Sequence, residues 1–238
     1  MVTIFMSKKA IFSVQYRALL LAAALMLAPL LGLADSPSPA DAGVRLEKPV
    51  GDGLHFLQGS GIFLGEGLVL TAAHVVKADP SNPNVTVILD GIALKGVVVK
   101  TGQLENLDLA LVKLDPQTLT VRRRTQTLIA ICKTNPGPNQ AVVVASVGAI
   151  THAKTISTPI TSDGQSGSWT NLLSTGYHPG NSGGGVFNPQ IGCLWGIINV
   201  ELTGTVNGQF VDLTAFVPAT KVLAFLTAYQ QQVGPTVH

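Results

Sequence analysis

Metal-ligand spacings of cysteine and histidine are missing from this sequence of 238 residues, which contains only two cysteines and five histidines. Zinc sites draw their ligands from such residues at short, regular spacings. The acidic residues form no cluster of the kind that binds calcium either. We therefore expect no metal and no other cofactor.

Clustered positive charge is also scarce. The formal net charge is +2, and three basic residues, Lys8, Lys9 and Arg17, lie in an N-terminal segment that is typical of an export signal. Without residues 1–34 the formal charge becomes −1. The one remaining basic run, at 122–124, is interpreted as a solvated connection. Because nucleic acid binding draws on clustered cations, no nucleic acid partner is expected.

The N-terminal segment has the pattern of a signal peptide, because an apolar run from Ala18 to Ala34 follows the basic residues. We expect cleavage after Ala34 and an exported protein, periplasmic or secreted. A membrane-spanning helix needs about 20 apolar residues. Since this run is short and contains Pro29, an uncleaved anchor is the second interpretation. Residues 35–53 are predicted to be a flexible linker, and 54–238 one domain, with no stable membrane association unless the anchor is kept.

The two cysteines, Cys132 and Cys193, allow two interpretations. Disulfides persist in oxidising compartments, so an exported chain can join them. Two separate buried thiols are equally compatible with the sequence, which does not choose between the alternatives.

Short segments rich in Val, Ile and Leu, separated by glycine and Asp-Gly turns, indicate strands along most of the domain. In the first half the predicted strands are 56–64, 68–71, 84–89, 92–100 and 109–114. In the second half they are about 126–132, 140–149, 152–160, 168–173, 184–188, 192–200 and 208–216. The pattern predicts an all-β fold of two barrels, at about 54–120 and about 125–217. The apolar spacing after Pro218 predicts a terminal helix at about 218–231.

Three residues supply the groups of a nucleophilic hydrolase. His74 follows an apolar segment, Asp108 lies between two leucines, and Ser182 lies in the glycine-rich run 180–184. A serine hydroxyl attacks when a base removes its proton, and an acid behind that base holds it in the reactive tautomer. The amides of Gly180 and Ser182 can turn toward one point because glycine tolerates positive φ, which predicts an oxyanion hole. Each motif alone also fits a turn, a buried histidine or a structural carboxylate, and only their joint order and setting favour a triad.

The segments 69–76, 108–111 and 179–184 resemble the corresponding motifs of trypsin-like peptidases. They are most similar to the bacterial HtrA (Deg-type) branch and the related glutamyl endopeptidases. The segments 196–199 and 215–218 resemble the strand and pre-helix segments of HtrA proteases.

The resemblance implies a chymotrypsin-like fold of two six-stranded antiparallel β-barrels with a C-terminal α-helix. It implies a serine endopeptidase that hydrolyses protein or peptide substrates through an acyl-enzyme, with His74 as base, Asp108 as orienting acid and Ser182 as nucleophile. It also implies that a substrate peptide adds as a strand along residues 198–201. The substrate-binding residues expected on this basis are Gly176, Tyr177, Ile198, Asn199 and Glu201.

The sequence departs from these families in three places. HtrA proteases usually carry a PDZ domain after the protease domain, and this sequence ends instead, so we do not expect PDZ-dependent regulation and leave the oligomeric state open. Trypsin-type enzymes carry an acid that binds Lys or Arg six residues before the nucleophile. Because that position is Gly176 here, a preference for Lys or Arg is not supported. Glu201 is expected at the rim of the pocket, where it narrows or charges the entrance.

The sequence allows two other interpretations. The run Gly180-x-Ser182-x-Gly184 also satisfies the α/β-hydrolase nucleophile elbow, with Asp212 and His238 in that fold's order. The elbow needs a strand that runs into a helix, whereas strands are predicted on both sides of this serine. A peptide-binding protein that keeps the fold but does not cleave is the second functional hypothesis.

Overall fold

The computed structural model describes residues 38–50, 55–76, 82–103, 107–147, 149–156, 171–177, 179–206 and 209–234. The predicted signal segment 1–34 and His238 lie outside these residues, as do parts of the predicted linker and of the predicted strands at 152–160 and 168–173. No helix within the described ranges combines the length and apolar character that crossing a bilayer requires.

The first barrel closes with six antiparallel strands in the order β1-β2-β3-β6-β5-β4. Its strands are β1 (Gly43–Val50), β2 (His55–Gly65), β3 (Leu68–Thr71), β4 (Asn84–Leu89), β5 (Ile92–Thr101) and β6 (Ala110–Leu114). Asp90 and Gly91 have φ of 53° and 77°, the conformation that a two-residue hairpin turn requires. The five strands predicted for the first half of the domain are confirmed, and their ends agree with the structure to within one or two residues.

The predicted linker at 35–53 is wrong over much of its length. Residues Pro39–Ala42 form a short helix, α1, and β1 pairs with both β2 and β4. Val44 and Leu46 point into the barrel and are at most 2% exposed, while Arg45 between them is exposed. The strand escapes a search for apolar runs because only every second residue is apolar. A closed barrel also requires β1, since it joins β2 to β4.

The second barrel also closes with six antiparallel strands, in the order β10-β11-β12-β9-β8-β7. Its strands are β7 (Ala141–Ser146), β8 (Ala149–Ile156), β9 (Leu172–Leu173), β10 (Gly185–Phe187), β11 (Leu194–Val206) and β12 (Gln209–Pro218). The fold is therefore the predicted chymotrypsin-like pair of barrels, and it ends in helix α4 (Ala219–Val233).

The predicted strand at 126–132 is not a barrel strand. Within it only Ile131 forms a bridge, to Leu194. The backbone of this segment instead connects the two barrels, because Ile129 N–H donates to the carbonyl of Leu64 (2.9 Å) and Leu194 N–H donates to that of Ala130 (2.8 Å). Within this segment Ile129 is buried in a cluster shared by both barrels, whereas Leu128 is 49% exposed, so the apolar composition does not reflect strand pairing.

The basic run at 122–124 is also not a solvated connection throughout. It lies in a one-turn helix, α3 (Val121–Arg124), whose cap is the Thr120 hydroxyl. The side chain of Arg123 is only 3% exposed and forms an ion pair with Asp90. A buried guanidinium persists only when its donors are paired, which Asp90 accomplishes with both carboxylate oxygens.

Apolar residues of both barrels and of α4 form one buried cluster. Leu70 and Leu111 come from the first barrel, Phe187 and Ile197 from the second, and Phe225 from α4. Cys132 and Cys193 form a disulfide at the start of β11, which decides the open alternative in favour of the bridge. This packing brings the end of β3 close to the loop before β10.

Candidate active site

His74 and Asp108 are brought together by the ends of two paired strands. β3 ends at Thr71 and leads into a one-turn helix, α2 (Ala73–Val76), while Asp108 precedes β6, the partner of β3. His74 Nδ1 lies 2.6 Å from Asp108 Oδ2, and the His74 backbone N–H donates to Asp108 Oδ1 at 2.9 Å. The Asp108 side chain is 4% exposed, whereas that of His74 is 41% exposed.

This geometry fixes the role of each imidazole nitrogen. Because Asp108 presents carboxylate oxygens, Nδ1 is the donor in their hydrogen bond. The neutral ring then has its lone pair on Nε2, on the side turned away from the carboxylate. Low exposure of Asp108 limits the screening of its charge by water, so the carboxylate stabilises a protonated ring more strongly than an exposed acid does.

Ser182 lies in a tight turn between β9 and β10. Gly180 and Gly183 have φ of +99° and +88°, which only glycine adopts without strain. The Ser182 hydroxyl donates to the carbonyl of Asn199 at 3.2 Å, so in this structure it is directed at β11 and not at His74. A Cβ at Gly180 would meet no atom within 4 Å, so the space beside this glycine is open.

Ser60 of β2 binds the Ser182 turn to the first barrel. Its hydroxyl donates to the Gly180 carbonyl at 2.8 Å and accepts from Val147 N–H at 2.9 Å. Its backbone N–H donates to the Ser182 carbonyl at 2.8 Å. Ser60 is fully buried. The sequence interpretation missed this residue, although a serine between two glycines inside an apolar strand signals a close backbone approach.

Gly59 lies close both to the residue that follows His74 and to the backbone of Ser182. A Cβ placed there would lie 2.5 Å from Val75 Cγ1 and 3.1 Å from the Ser182 carbonyl oxygen. The residue after His74 and the backbone of Ser182 therefore both pack against this glycine. A Cβ at Gly183 would likewise clash with Ser60 and with Thr71, three residues before His74. The structure thus places Val75, the neighbour of His74, and the backbone of Ser182 beside the same glycine, Gly59.

The residues predicted to bind substrate fall into two groups. Gly176, Asn199 and Glu201 are partly exposed, as a binding surface requires. Tyr177 is 9% exposed, and its hydroxyl lies 2.6 Å from Thr151 Oγ1. Burial raises the pKa of Tyr177 above its ordinary value, although the hydrogen bond to Thr151 acts in the opposite direction. The phenol of Tyr177 therefore stays protonated, and its side chain packs inside the protein instead of lying on an exposed binding surface.

Ile198 does not fit a direct contact with substrate. Its side chain is 2% exposed, its carbonyl accepts from Gly183 N–H at 2.8 Å, and its N–H donates to the Gly184 carbonyl at 2.8 Å. Both backbone groups are therefore occupied by the turn that carries Ser182. Of the residues 198–201 predicted to pair with a substrate strand, Ile198 therefore has no free backbone group.

Among the described residues, no three His, Cys, Asp or Glu side chains are grouped so that they could hold a metal ion. The expectation that the protein needs no cofactor stays a prediction.

A family model of the trypsin-like peptidase domain matches residues 59–197, which include His74, Asp108 and Ser182. The chain belongs to this family. As a trypsin-like peptidase it is a serine-type hydrolase whose substrates are proteins or peptides. No curated protein sequence matched the chain.

Solved structures of serine proteases share the fold of this trypsin-like peptidase. The active form of the Rv3671c protease from M. tuberculosis is 18% identical with a TM-score of 0.57, over 84% of this chain and 86% of that chain. The MamO protease domain from Magnetospirillum magneticum is 24% identical with a TM-score of 0.51, over 79% of this chain and 96% of that one. The serine protease of human pathogenic astrovirus is 18% identical with a TM-score of 0.50, over 77% and 93%. At these identities the likeness supports the fold alone, and the predicted closeness to the HtrA branch stays a prediction.

Proposed function

We propose that this trypsin-like peptidase is an exported endopeptidase that cleaves peptide bonds with His74, Asp108 and Ser182. The observation that carries the proposal is the pairing of His74 Nδ1 with the buried carboxylate of Asp108, at 2.6 Å. This pairing leaves Nε2 as the one ring atom able to accept a proton from a nucleophile.

Catalysis requires a rotation of the Ser182 side chain. Its hydroxyl donates to Asn199 in the structure, and rotation about χ1 would release it toward His74. Nε2 then takes the hydroxyl proton while Oγ attacks the substrate carbonyl. The tetrahedral oxyanion is stabilised by the N–H groups of Gly180 and Ser182, and His74 passes the proton to the leaving amine. The resulting acyl-enzyme is hydrolysed by water through the same base.

Two features support export. The basic residues and apolar run of 1–34 have the pattern of a secretory signal. The disulfide between Cys132 and Cys193 is a type of bond that persists in oxidising compartments. The molecular mass of the protein isolated from each cell fraction tests both export and signal cleavage, because cleavage after Ala34 gives a chain that begins at Asp35. A full-length chain in the membrane fraction would favour the tethered form instead.

A peptide-binding protein without activity is the competing function, and labelling with a fluorophosphonate separates the two. We expect one covalent adduct, on Ser182. In His74→Ala the labelling rate falls at least about 10³-fold, because the hydroxyl loses its base. His152→Ala is the matched control, since His152 is an exposed histidine on β8. Absence of an adduct on folded wild-type protein would favour the binding protein, and equal loss in both variants would contradict the role of His74.

A further inference from the structure

The junction between α4 and the first barrel contains a cavity that the proposed cleavage of peptides does not use. Its volume is about 800 Å³, which lies within the range of small-molecule sites in proteins. The described residues that line it are distinct from those of the candidate active site. One wall is α4, and the other is formed by the first barrel and the connection that leaves it.

The barrel wall is the outer end of the apolar face that joins the two barrels. Leu70 and Leu111 are opposite each other on β3 and β6, and both are fully buried. Because side chains alternate along a strand, the next pair on this face is Leu68 and Lys113. Leu68 is partly buried and Lys113 is exposed. The apolar face therefore extends beyond the packed cluster and ends in a cation.

The α4 wall also extends an apolar face beyond the core. Val222 and Phe225 are buried in the cluster that joins both barrels to α4, and Tyr229 packs partly buried against it. Val233 follows one turn later on the same side of the helix and is 58% exposed. The lining residues of α4 extend from 223 to 233, about 15 Å along the helix axis. A long, narrow apolar ligand suits a wall of this shape.

Contacts with β5 hold this end of α4 in place. Lys100 Nζ donates to Gln232 Oε1 at 3.1 Å and lies 5.5 Å from the centre of the Phe225 ring. Every α4 residue that lines the cavity is uncharged. The helix therefore supplies a fixed wall that attracts the apolar part of a ligand and leaves recognition of charge to the barrel side.

The charged side chains of the cavity give it a positive excess. Its described lining residues include two cations, Lys113 and Arg124, and one acid, Glu66 in the turn between β2 and β3. Neither cation forms an ion pair with a residue of the described ranges, in contrast to the other two arginines of α3. An apolar ligand that ends in one negative charge complements this arrangement.

We propose that the cavity binds a fatty acid, with its chain between α4 and the β3–β6 face and its carboxylate at Lys113 and Arg124. The planar guanidinium of Arg124 matches a carboxylate, and the apolar walls remove the chain from water. This binding function is additional to the proposed cleavage of peptides and does not require it.

Binding of decanoate to the full chain, measured by isothermal titration calorimetry below its micelle concentration, tests the ligand class. We expect decanoate to bind at least about 10-fold more tightly than decanol, its uncharged analogue. Octanoate should bind more weakly, by about 4-fold for each methylene that it lacks. Equal binding of decanoate and decanol overturns the carboxylate site, and absence of decanoate binding overturns the whole proposal.

A pair of double variants tests the two cations. Lys113→Gln with Arg124→Gln should weaken decanoate binding about 10- to 100-fold while decanol binding is retained. Lys95→Gln with Lys133→Gln is the matched control, because it removes two exposed cations that are not among the lining residues. An equal loss in the control overturns the assignment of the carboxylate to Lys113 and Arg124.

Leu223→Trp tests the position of the chain. Leu223 lines the cavity and is only partly buried, so the larger side chain occupies space that the ligand needs. We expect weaker binding of decanoate and decanol alike. Ile191→Trp is the matched control, because Ile191 is 68% exposed and is not among the lining residues. Undiminished binding in folded Leu223→Trp overturns the cavity as the site.

An anionic membrane presents the same chemistry, and vesicles distinguish it from a free fatty acid. We expect wild type and Lys113→Gln with Arg124→Gln to sediment equally with phosphatidylglycerol vesicles. Sedimentation that only these substitutions remove, without binding of decanoate, would assign the cavity to membrane lipid and overturn the proposal. Fluorophosphonate labelling of Ser182 should be the same in all variants, so that failure of the fatty acid site and failure of the proposed peptidase function are observed separately.

Discussion

Ser60 shows how one side chain can fix the position of the turn that carries Ser182. Its hydroxyl is used as donor to Gly180 and as acceptor from Val147, and both partners lie on the opposite barrel. Without the hydroxyl, the Gly180 carbonyl and the Val147 amide lose their partners in a buried environment. An unpaired buried polar group costs about 1–3 kcal/mol.

Replacement of Ser60 by alanine tests this positioning role. We expect the free energy of unfolding to fall by about 1–3 kcal/mol. Because the turn that carries the Gly180 and Ser182 amides is loosened, we also expect kcat to fall about 10- to 100-fold with KM little changed. Steady-state kinetics on a peptide substrate and urea unfolding measure the two effects.

Ser174→Ala is the matched control, since Ser174 is exposed and its hydroxyl accepts from Lys154 N–H. Stability lost in Ser60→Ala without any change in kcat would mean that the serine is only structural.

At the scale of residues, the sequence predicts a role for residues whose immediate neighbours in the chain indicate it. His74, Asp108 and Ser182 were predicted because of their joint order along the chain and the local setting of each. Ser60 was not assigned a role, because its significance depends on distant partners. Ser60 bonds to a residue 120 positions away. No local pattern records a contact of that separation.

At the scale of elements, the one-turn helix α3 joins three segments of the first barrel through Arg123. The guanidinium bonds to both carboxylate oxygens of Asp90 in the β4–β5 turn and donates to the Asp41 carbonyl of α1 at 2.7 Å. It also lies 5.7 Å from the centre of the Phe63 ring. The hydrogen bond from Arg123 holds the pKa of Asp90 below its ordinary value, although partial burial acts in the opposite direction.

Asp90→Asn tests the ion pair between Asp90 and Arg123 through the pH dependence of the free energy of unfolding. A carboxyl whose pKa is lowered by folding stabilises fully above its ordinary pKa, and this contribution is lost as the pH falls through the lower, folded value. At pH 7 we expect the variant to be less stable than wild type by about 1–3 kcal/mol. The difference should shrink below about pH 4. Asparagine tolerates the positive φ of this turn, so the backbone adds little to the effect.

Urea unfolding at a series of pH values measures the difference. Asp41→Asn is the control, because it removes an exposed ion pair with Arg122 in which the two side chains are 42% and 68% exposed. Exposed pairs contribute at most about 1 kcal/mol. A difference between Asp90→Asn and wild type that stays constant down to low pH would contradict the electrostatic explanation.

Helices and turns that their own residues specify were predictable, whereas segments whose structure depends on pairing with distant parts of the chain were not. The hairpin at Asp90-Gly91 and helix α4 were predicted from turn chemistry and apolar spacing. The sequence predicts a linker at β1 because its apolar residues Val44 and Leu46 alternate with charged ones, and only pairing with β2 and β4 makes it a strand. The segment 126–132 has the composition of a strand, but its hydrogen bonds run to both barrels.

At the scale of the whole molecule, the site depends on how firmly the two barrels are joined. The cluster that includes Leu70, Leu111, Phe187 and Ile197 crosses from one barrel to the other. Since His74 and Asp108 come from the first barrel and Ser182 from the second, any loosening of this interface separates the residues of the proposed triad. The sequence order predicted that the halves must meet, but not which residues pack between them, because that packing follows from the closed barrels.

The disulfide also strengthens the junction between the two barrels, at the start of β11. It joins Cys132, in the connection between the barrels, to Cys193, directly before β11, across 61 residues of sequence. Closing a loop of that length restricts the unfolded chain and is worth about 4 kcal/mol on the chain-entropy model. Both cysteines are 5% exposed, so thiol reagents reach the bond only when the protein opens.

Replacement of both cysteines by alanine should therefore lower the free energy of unfolding by about 4 kcal/mol in urea at pH 7. Labelling of Ser182 at temperatures below the unfolding transition should persist, because the triad residues keep their own hydrogen bonds. The wild-type protein, reduced in urea and kept reduced with dithiothreitol during the measurement, should match the variant in its unfolding midpoint. A double variant as stable as the oxidised wild type would show that the barrel interface alone holds the junction. Loss of labelling in a folded double variant would instead mean that the bridge positions β11, and with it the Asn199 carbonyl that accepts from Ser182.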